Sequence, residues 1–189
     1  MSEKLDFRKN VWNVPNVLTM VRMALIPVYW ALMLKGLKMM ALLVYVTASL
    51  TDLADGYIAR KYNLITDFGK LMDPAADKLM VVSVMLSHVL DGTIPVLPFV
   101  ILTVKEFLMM LGAGAMLKRG LVVYAKWSGK LAQLVVVCSL VLCFFSEHFA
   151  RPVHLYLIWA GVALALHAFV YYVRMSMKMI KEQNSAKIA

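Results

Sequence analysis

Apolar runs of helix-spanning length recur along this chain, each closed by a short charged or glycine- and proline-bearing turn. The runs cover residues 16–35, 39–60, about 67–90, 95–117, 127–146 and 153–173. A helix rises about 1.5 Å per residue, so some twenty apolar residues cross a bilayer core of about 30 Å. At 62% apolar residues the chain is too apolar for a water-soluble domain. The expectation is an all-α polytopic membrane protein, a single domain over residues 1–189. It would have six transmembrane helices and a short juxtamembrane segment at residues 1–15. Phe7, Val11, Trp12 and Val14 in that segment could rest on a membrane surface. The start is polar and lacks the apolar core of a cleavable signal.

A net charge of +9 would suit a nucleic-acid partner. The cations instead sort by topology. With six spans, fourteen Lys and Arg fall on the side of the termini and three (Lys35, Lys38 and Arg151) on the other. That bias predicts an integral protein of a bacterial plasma membrane, with both termini and the polar turn near residue 65 in the cytoplasm. No nucleic-acid partner is expected. Cys138 and Cys143 lie five apart in one apolar run, pointing in different directions. They read as buried free thiols. His88, His148, His154 and His167 show no ligand spacing and read as packing or interfacial residues.

The stretch from Thr51 to Asp77, TDLADGYIARKYNLITDFGKLMDPAAD, carries the chemistry. Asp52 and Asp55 are three apart, and Asp73 and Asp77 four apart. On helices each spacing puts both carboxylates on one face. Two such faces brought together would form a four-carboxylate cage, which needs positive charge between its members. Oxygen ligands suit Mg²⁺, Mn²⁺ or Ca²⁺. Solvated loop acids are the bland alternative, but ionisable groups inside apolar runs are costly and usually functional. Gly56 and Ala59 would let a ligand or a second helix approach closely. Asp67 can cap the helix that carries Asp73 and Asp77, and Pro74 suits only the start of that helix or a kink.

Arg22, one turn from Thr19, lies deep in the first run. It needs an anionic partner, either a motif Asp or a substrate phosphate. Lys105 and Glu106 sit inside the fourth run. Adjacent residues on a helix do not face each other, so each is expected to find its own partner.

The stretch resembles the signature of the CDP-alcohol phosphatidyltransferase family, D-x2-D-G-x2-A-R-x8-G-x3-D-x3-D. Asp52, Asp55, Gly56, Ala59, Arg60, Gly69, Asp73 and Asp77 fill every fixed position. The resemblance implies a six-helix membrane protein, commonly a homodimer. It implies transfer of a phosphatidyl group from CDP-diacylglycerol to a small alcohol or lipid acceptor, with release of CMP. It also implies Mg²⁺ or Mn²⁺, two ions, held by Asp52, Asp55, Asp73 and Asp77, with Asp77 as general base. Gly56, Ala59, Arg60, Gly69 and Thr19 would hold the nucleotide-linked donor.

NVPNVLT-x2-R (Asn13 to Arg22) and NLITDFGKLMDPAADKLM look most like the phosphatidylglycerophosphate synthases, which use glycerol 3-phosphate. They are also similar to cardiolipin synthases of the same fold, which use phosphatidylglycerol. Acceptor-binding candidates are Arg22, Lys78, Lys105 and Lys130. Two motifs depart from the synthase pattern. Ala113 stands where R-E-F-x4-L-R has its second Arg, and Ala132 and Gln133 stand where G-K-x-K-T has Lys and Thr. A divalent-cation transporter would not need Gly56, Ala59, Arg60 and Gly69 at these spacings. A prenyl-diphosphate enzyme would show a second paired-Asp motif.

Overall fold

The computed structural model describes residues 13–61, 67–121, 127–149 and 152–188. Among them are six α-helices: α1 (Val14–Leu34), α2 (Lys38–Lys61), α3 (Asp67–Leu90), α4 (Val96–Lys118), α5 (Trp127–Cys143) and α6 (Val153–Ile188), with a 3-10 turn at Ser146–His148. The all-helical expectation holds. The juxtamembrane reading of residues 1–15 falls mainly on residues 1–12, outside the described residues.

Local chemistry sets the helix ends. Asn13 takes an extended backbone, and its side chain accepts a hydrogen bond from the Asn16 N–H at 2.9 Å, with Pro15 in the first turn. This is the capping arrangement that satisfies an otherwise orphaned donor. The turn expected at Asp91–Thr93 is present. Gly92 adopts φ 74°, donating to Val89 O, while Thr93 N–H donates to His88 O. Gly120 ends α4 in the same way, at φ 72°. Both are glycine-closed C-termini that satisfy the last carbonyls.

Three helices contain stretches long and apolar enough to cross a membrane: Asn16–Leu34, Val96–Leu117 and Val153–Gln183. Lys38–Thr51 and Trp127–Cys143 are shorter apolar helices. The motif acids and their neighbouring cations occupy the last turns of α2 and the first turns of α3, and α5 has 17 residues. Outward-facing Val21, Val28, Leu108, Met110, Leu111 and Val170 fit a lipid surround, as expected of an integral membrane protein.

The chain divides into two units between Ser87 and His88. In the first, α1 packs along α2. Ala41, Tyr45 and Ala48 of α2 are buried, as are Ala76, Met80 and Val84 of α3. Ser87 Oγ donates to Val84 O at 2.8 Å and so accepts from the Tyr29 hydroxyl, which joins α1 to α3.

In the second unit α6 packs against α5 and α4. A Cβ on Gly161 would lie 2.7 Å from Val136 Cγ2, so the close α5–α6 approach depends on a missing side chain. Ser139 Oγ donates to His154 O at 2.8 Å, and the His88 ring meets Phe144 edge-to-face at 4.6 Å. These buried histidines are packing residues, as expected.

Helix α6 continues past Arg174 to Ile188. Nothing requires a helix to end where its apolar stretch ends when the following residues are good helix formers. Two expectations need correction. Cys138 is exposed; only Cys143 is buried. Finally, Lys105 and Glu106 pair with each other, at side-chain exposures of 14% and 24%. Their Cβ atoms diverge, but both arms are long and flexible enough to bend together in a poorly solvated setting.

Candidate active site

Asn16, Thr19 and Arg22 are each 1% exposed and follow one another at steps of three along α1. That spacing lines one helix face. A polar row ending in a fully buried arginine, on an otherwise apolar span, marks an interior built for charge. Only residues 35–37 separate α1 from α2. Equal distances back along α1 and forward along α2 therefore reach the same level. Arg22 is level with residues near 50, and Thr19 and Asn16 with residues near 53–56. The row thus runs at the height of the first two motif acids.

The motif itself straddles two helix ends. Asp52, Asp55, Gly56, Ala59 and Arg60 occupy the last three turns of α2. Gly69, Asp73, Asp77 and Lys78 occupy the first turns of α3. Both helix ends belong to the first unit, so one unit holds all four acids together with Thr19 and Arg22. The side chains of Asp52, Asp55, Gly56, Ala59, Arg60, Gly69 and Asp73 lie outside the described residues, and with them the four-carboxylate cage. Asp77 and Lys78 are half-buried.

The acceptor candidates divide. Arg22 and Lys78 belong to the first unit, Lys105 and Lys130 to the second. The Lys105 ammonium is engaged by Glu106. Lys130 is exposed, its ammonium 5.8 Å from the centre of the Trp127 ring, within reach of a cation–π attraction.

Reasoning from the sequence singled out Thr19 and Arg22 but missed that the same face runs on to Tyr29, which is fully buried. The signal was available: Tyr29 is two turns beyond Arg22.

The sequence profile of CDP-alcohol phosphatidyltransferases matches residues 12–167, from the start of α1 into α6. The chain belongs to the CDP-alcohol phosphatidyltransferase family. Within that family it is 43% identical over 99 residues to the CDP-diacylglycerol–glycerol-3-phosphate 3-phosphatidyltransferase of Rickettsia bellii, covering 51% of this chain and 55% of the relative. It is 34% identical over 154 residues to the enzyme of the same name from Bacillus subtilis, covering 70% and 78%. It is 37% identical over 106 residues to the CMP-forming cardiolipin synthase of Rattus norvegicus, covering 56% and 35%. The match thus spans about half the length of the Rickettsia protein.

CDP-alcohol phosphatidyltransferases generally use divalent metal ions. The donor set fits such a group. Four Asp in two pairs, each pair one helical turn apart on adjoining ends of α2 and α3, supply hard oxygen ligands and no sulfur or imidazole.

Proposed function

We propose that this protein transfers a phosphatidyl group from CDP-diacylglycerol to glycerol 3-phosphate, forming phosphatidylglycerophosphate and CMP in phospholipid biosynthesis. One observation carries the reading. The complete Asp52–Asp77 signature lies on two helix ends of a single unit, inside the range matched by the family profile. The relatives named for this activity in Rickettsia bellii and Bacillus subtilis support the choice of acceptor.

In this reading residues 1–189 form one membrane domain of six transmembrane helices, working as a homodimer in a bacterial plasma membrane. The termini and active site face the cytoplasm, as the Lys/Arg bias suggests. Asp52, Asp55, Asp73 and Asp77 hold two divalent ions, Mg²⁺ or Mn²⁺. When bound, such ions neutralise the diphosphate and draw charge from the departing CMP.

The remaining work falls to the chain. Gly56, Ala59, Arg60 and Gly69 seat the cytidine diphosphate, with Thr19 alongside. Arg22 and Lys78 hold the acceptor phosphate, and Lys105 and Lys130 are the candidates from the second unit. The Asp77 carboxylate takes the proton from the acceptor hydroxyl. The acceptor's hydroxyl oxygen then bonds to the phosphorus bearing the diacylglycerol, and the bond from that phosphorus to CMP breaks. CMP leaves as a stabilised phosphate anion, so no acid is needed on the leaving side.

A second reading is a cardiolipin-type synthase with phosphatidylglycerol as acceptor. It is favoured by Ala113, Ala132 and Gln133, which leave neutral two positions where phosphate-binding residues are expected. The similarity to the Rattus norvegicus synthase also supports it. Labelled CDP-diacylglycerol offered with Mg²⁺ and each acceptor in turn separates the two. The expected product is phosphatidylglycerophosphate with glycerol 3-phosphate; cardiolipin from phosphatidylglycerol would select the second reading. No CMP release with any alcohol would end both.

A further inference from the structure

α6 does not stop where its apolar stretch stops. Leu155 to Val173 is predominantly apolar and fills about 28 Å of hydrocarbon. The helix continues to Ile188, about 22 Å further. One side of this extension is occupied. Gln183 Nε2 donates to the Arg119 carbonyl that closes α4, at 3.0 Å, and Ser176 is buried. At the root of the extension the Tyr172 ring lies against Gly112 of α4.

The opposite side carries Arg174, Lys178 and Lys181, at steps of four and three, which form one exposed stripe. Lys178 meets Glu182 at 3.8 Å, but both side chains are about two-thirds exposed, and such pairs contribute little. Among the described residues no carboxylate pairs with Arg174 or Lys181. The helix dipole does not account for the stripe, because its influence is confined to the last turn. Arg174 and Lys178 both lie more than two turns before Ile188.

We propose that this face of α6 is a binding surface for the headgroups of anionic phospholipids. Position along the helix favours this partner. Arg174 stands where the apolar stretch ends, and Lys178 and Lys181 follow about 6 and 10 Å further out. Those heights fall in the headgroup layer or within one Debye length of it. The Arg174 guanidinium can grip a lipid phosphate with two parallel hydrogen bonds, while the lysines attract it as point charges. A nucleic acid or an acidic protein would instead need a stripe standing clear of the bilayer, and Arg174 does not.

The test uses the full chain in nanodiscs of phosphatidylcholine mixed with phosphatidylglycerol, with lipid selectivity read from spin-labelled analogues of each. The wild-type chain should gather phosphatidylglycerol above its bulk share, and the excess should shrink as salt rises. Replacing Arg174, Lys178 and Lys181 together by Gln should lower the preference by up to about fivefold per charge removed. Lys181→Gln alone, an exposed single change, should give a proportionate part of that loss, and Arg174→Lys should keep most of the preference. Equal selectivity in wild type and triple variant overturns the proposal. So does a wild-type chain that shows no lipid preference but binds RNA in solution.

Discussion

Arg22 is held at 1% exposure on a helix otherwise suited to lipid, which makes it a costly side chain unless its charge is used. Arg22→Gln should lower kcat/KM about 10- to 100-fold, the loss expected from removing a charged hydrogen bond. Asp77→Asn should instead cut kcat by about two to four orders of magnitude, as for a lost general base, while donor binding measured by equilibrium dialysis is largely kept. Full turnover in the Asn variant would remove Asp77 from its role. At this scale the sequence was informative about identity and poor about pairing. Thr19 and Arg22 were legible because helical spacing is rigid. The Lys105–Glu106 contact was not, because divergent Cβ vectors say little about where two long flexible arms come to rest. Cys138 escaped for another reason: apolar composition does not distinguish a helix face turned to lipid from one turned to protein.

Helices α5 and α6 approach so closely at Gly161 that a methyl group there would press on Val136. Gly161→Ala should destabilise by about 1–3 kcal/mol through overpacking, seen as a lower thermal midpoint in detergent. Val136→Ala in the same chain should restore much of the loss, since the two changes share one contact. The α4 pair gives a complementary case. Lys105→Met alone leaves a carboxylate behind in an apolar span and should destabilise by about 3–5 kcal/mol. The Lys105→Met, Glu106→Gln double variant should recover part of that loss. Helix limits were legible where proline or glycine supplied the local chemistry, as at Pro15 and Gly92. The far end of α6 carried no such stop signal, so its continuation to Ile188 was not.

For the molecule as a whole, activity should depend on bound metal. Chelation with EDTA should abolish CMP release, and added Mg²⁺ should restore it, with Mn²⁺ as the informative comparison. A stripped preparation that keeps full activity would remove the metal from the mechanism. Composition and the spacing of apolar runs were enough to read a helical membrane protein, and one 26-residue signature was enough to read its family.

The hydroxyl contact between Tyr29 and Ser87 has a mechanical consequence. Ser87 lies about 15 Å along α3 from Asp77, so α1 and α3 are riveted at one end and carry their charged groups toward the other. Under the proposed function, a two-tailed donor entering between α1 and α3 would meet the least resistance far from that bond. Tyr29→Phe should then alter how quickly the lipid is admitted more than how firmly the water-soluble reactant is gripped.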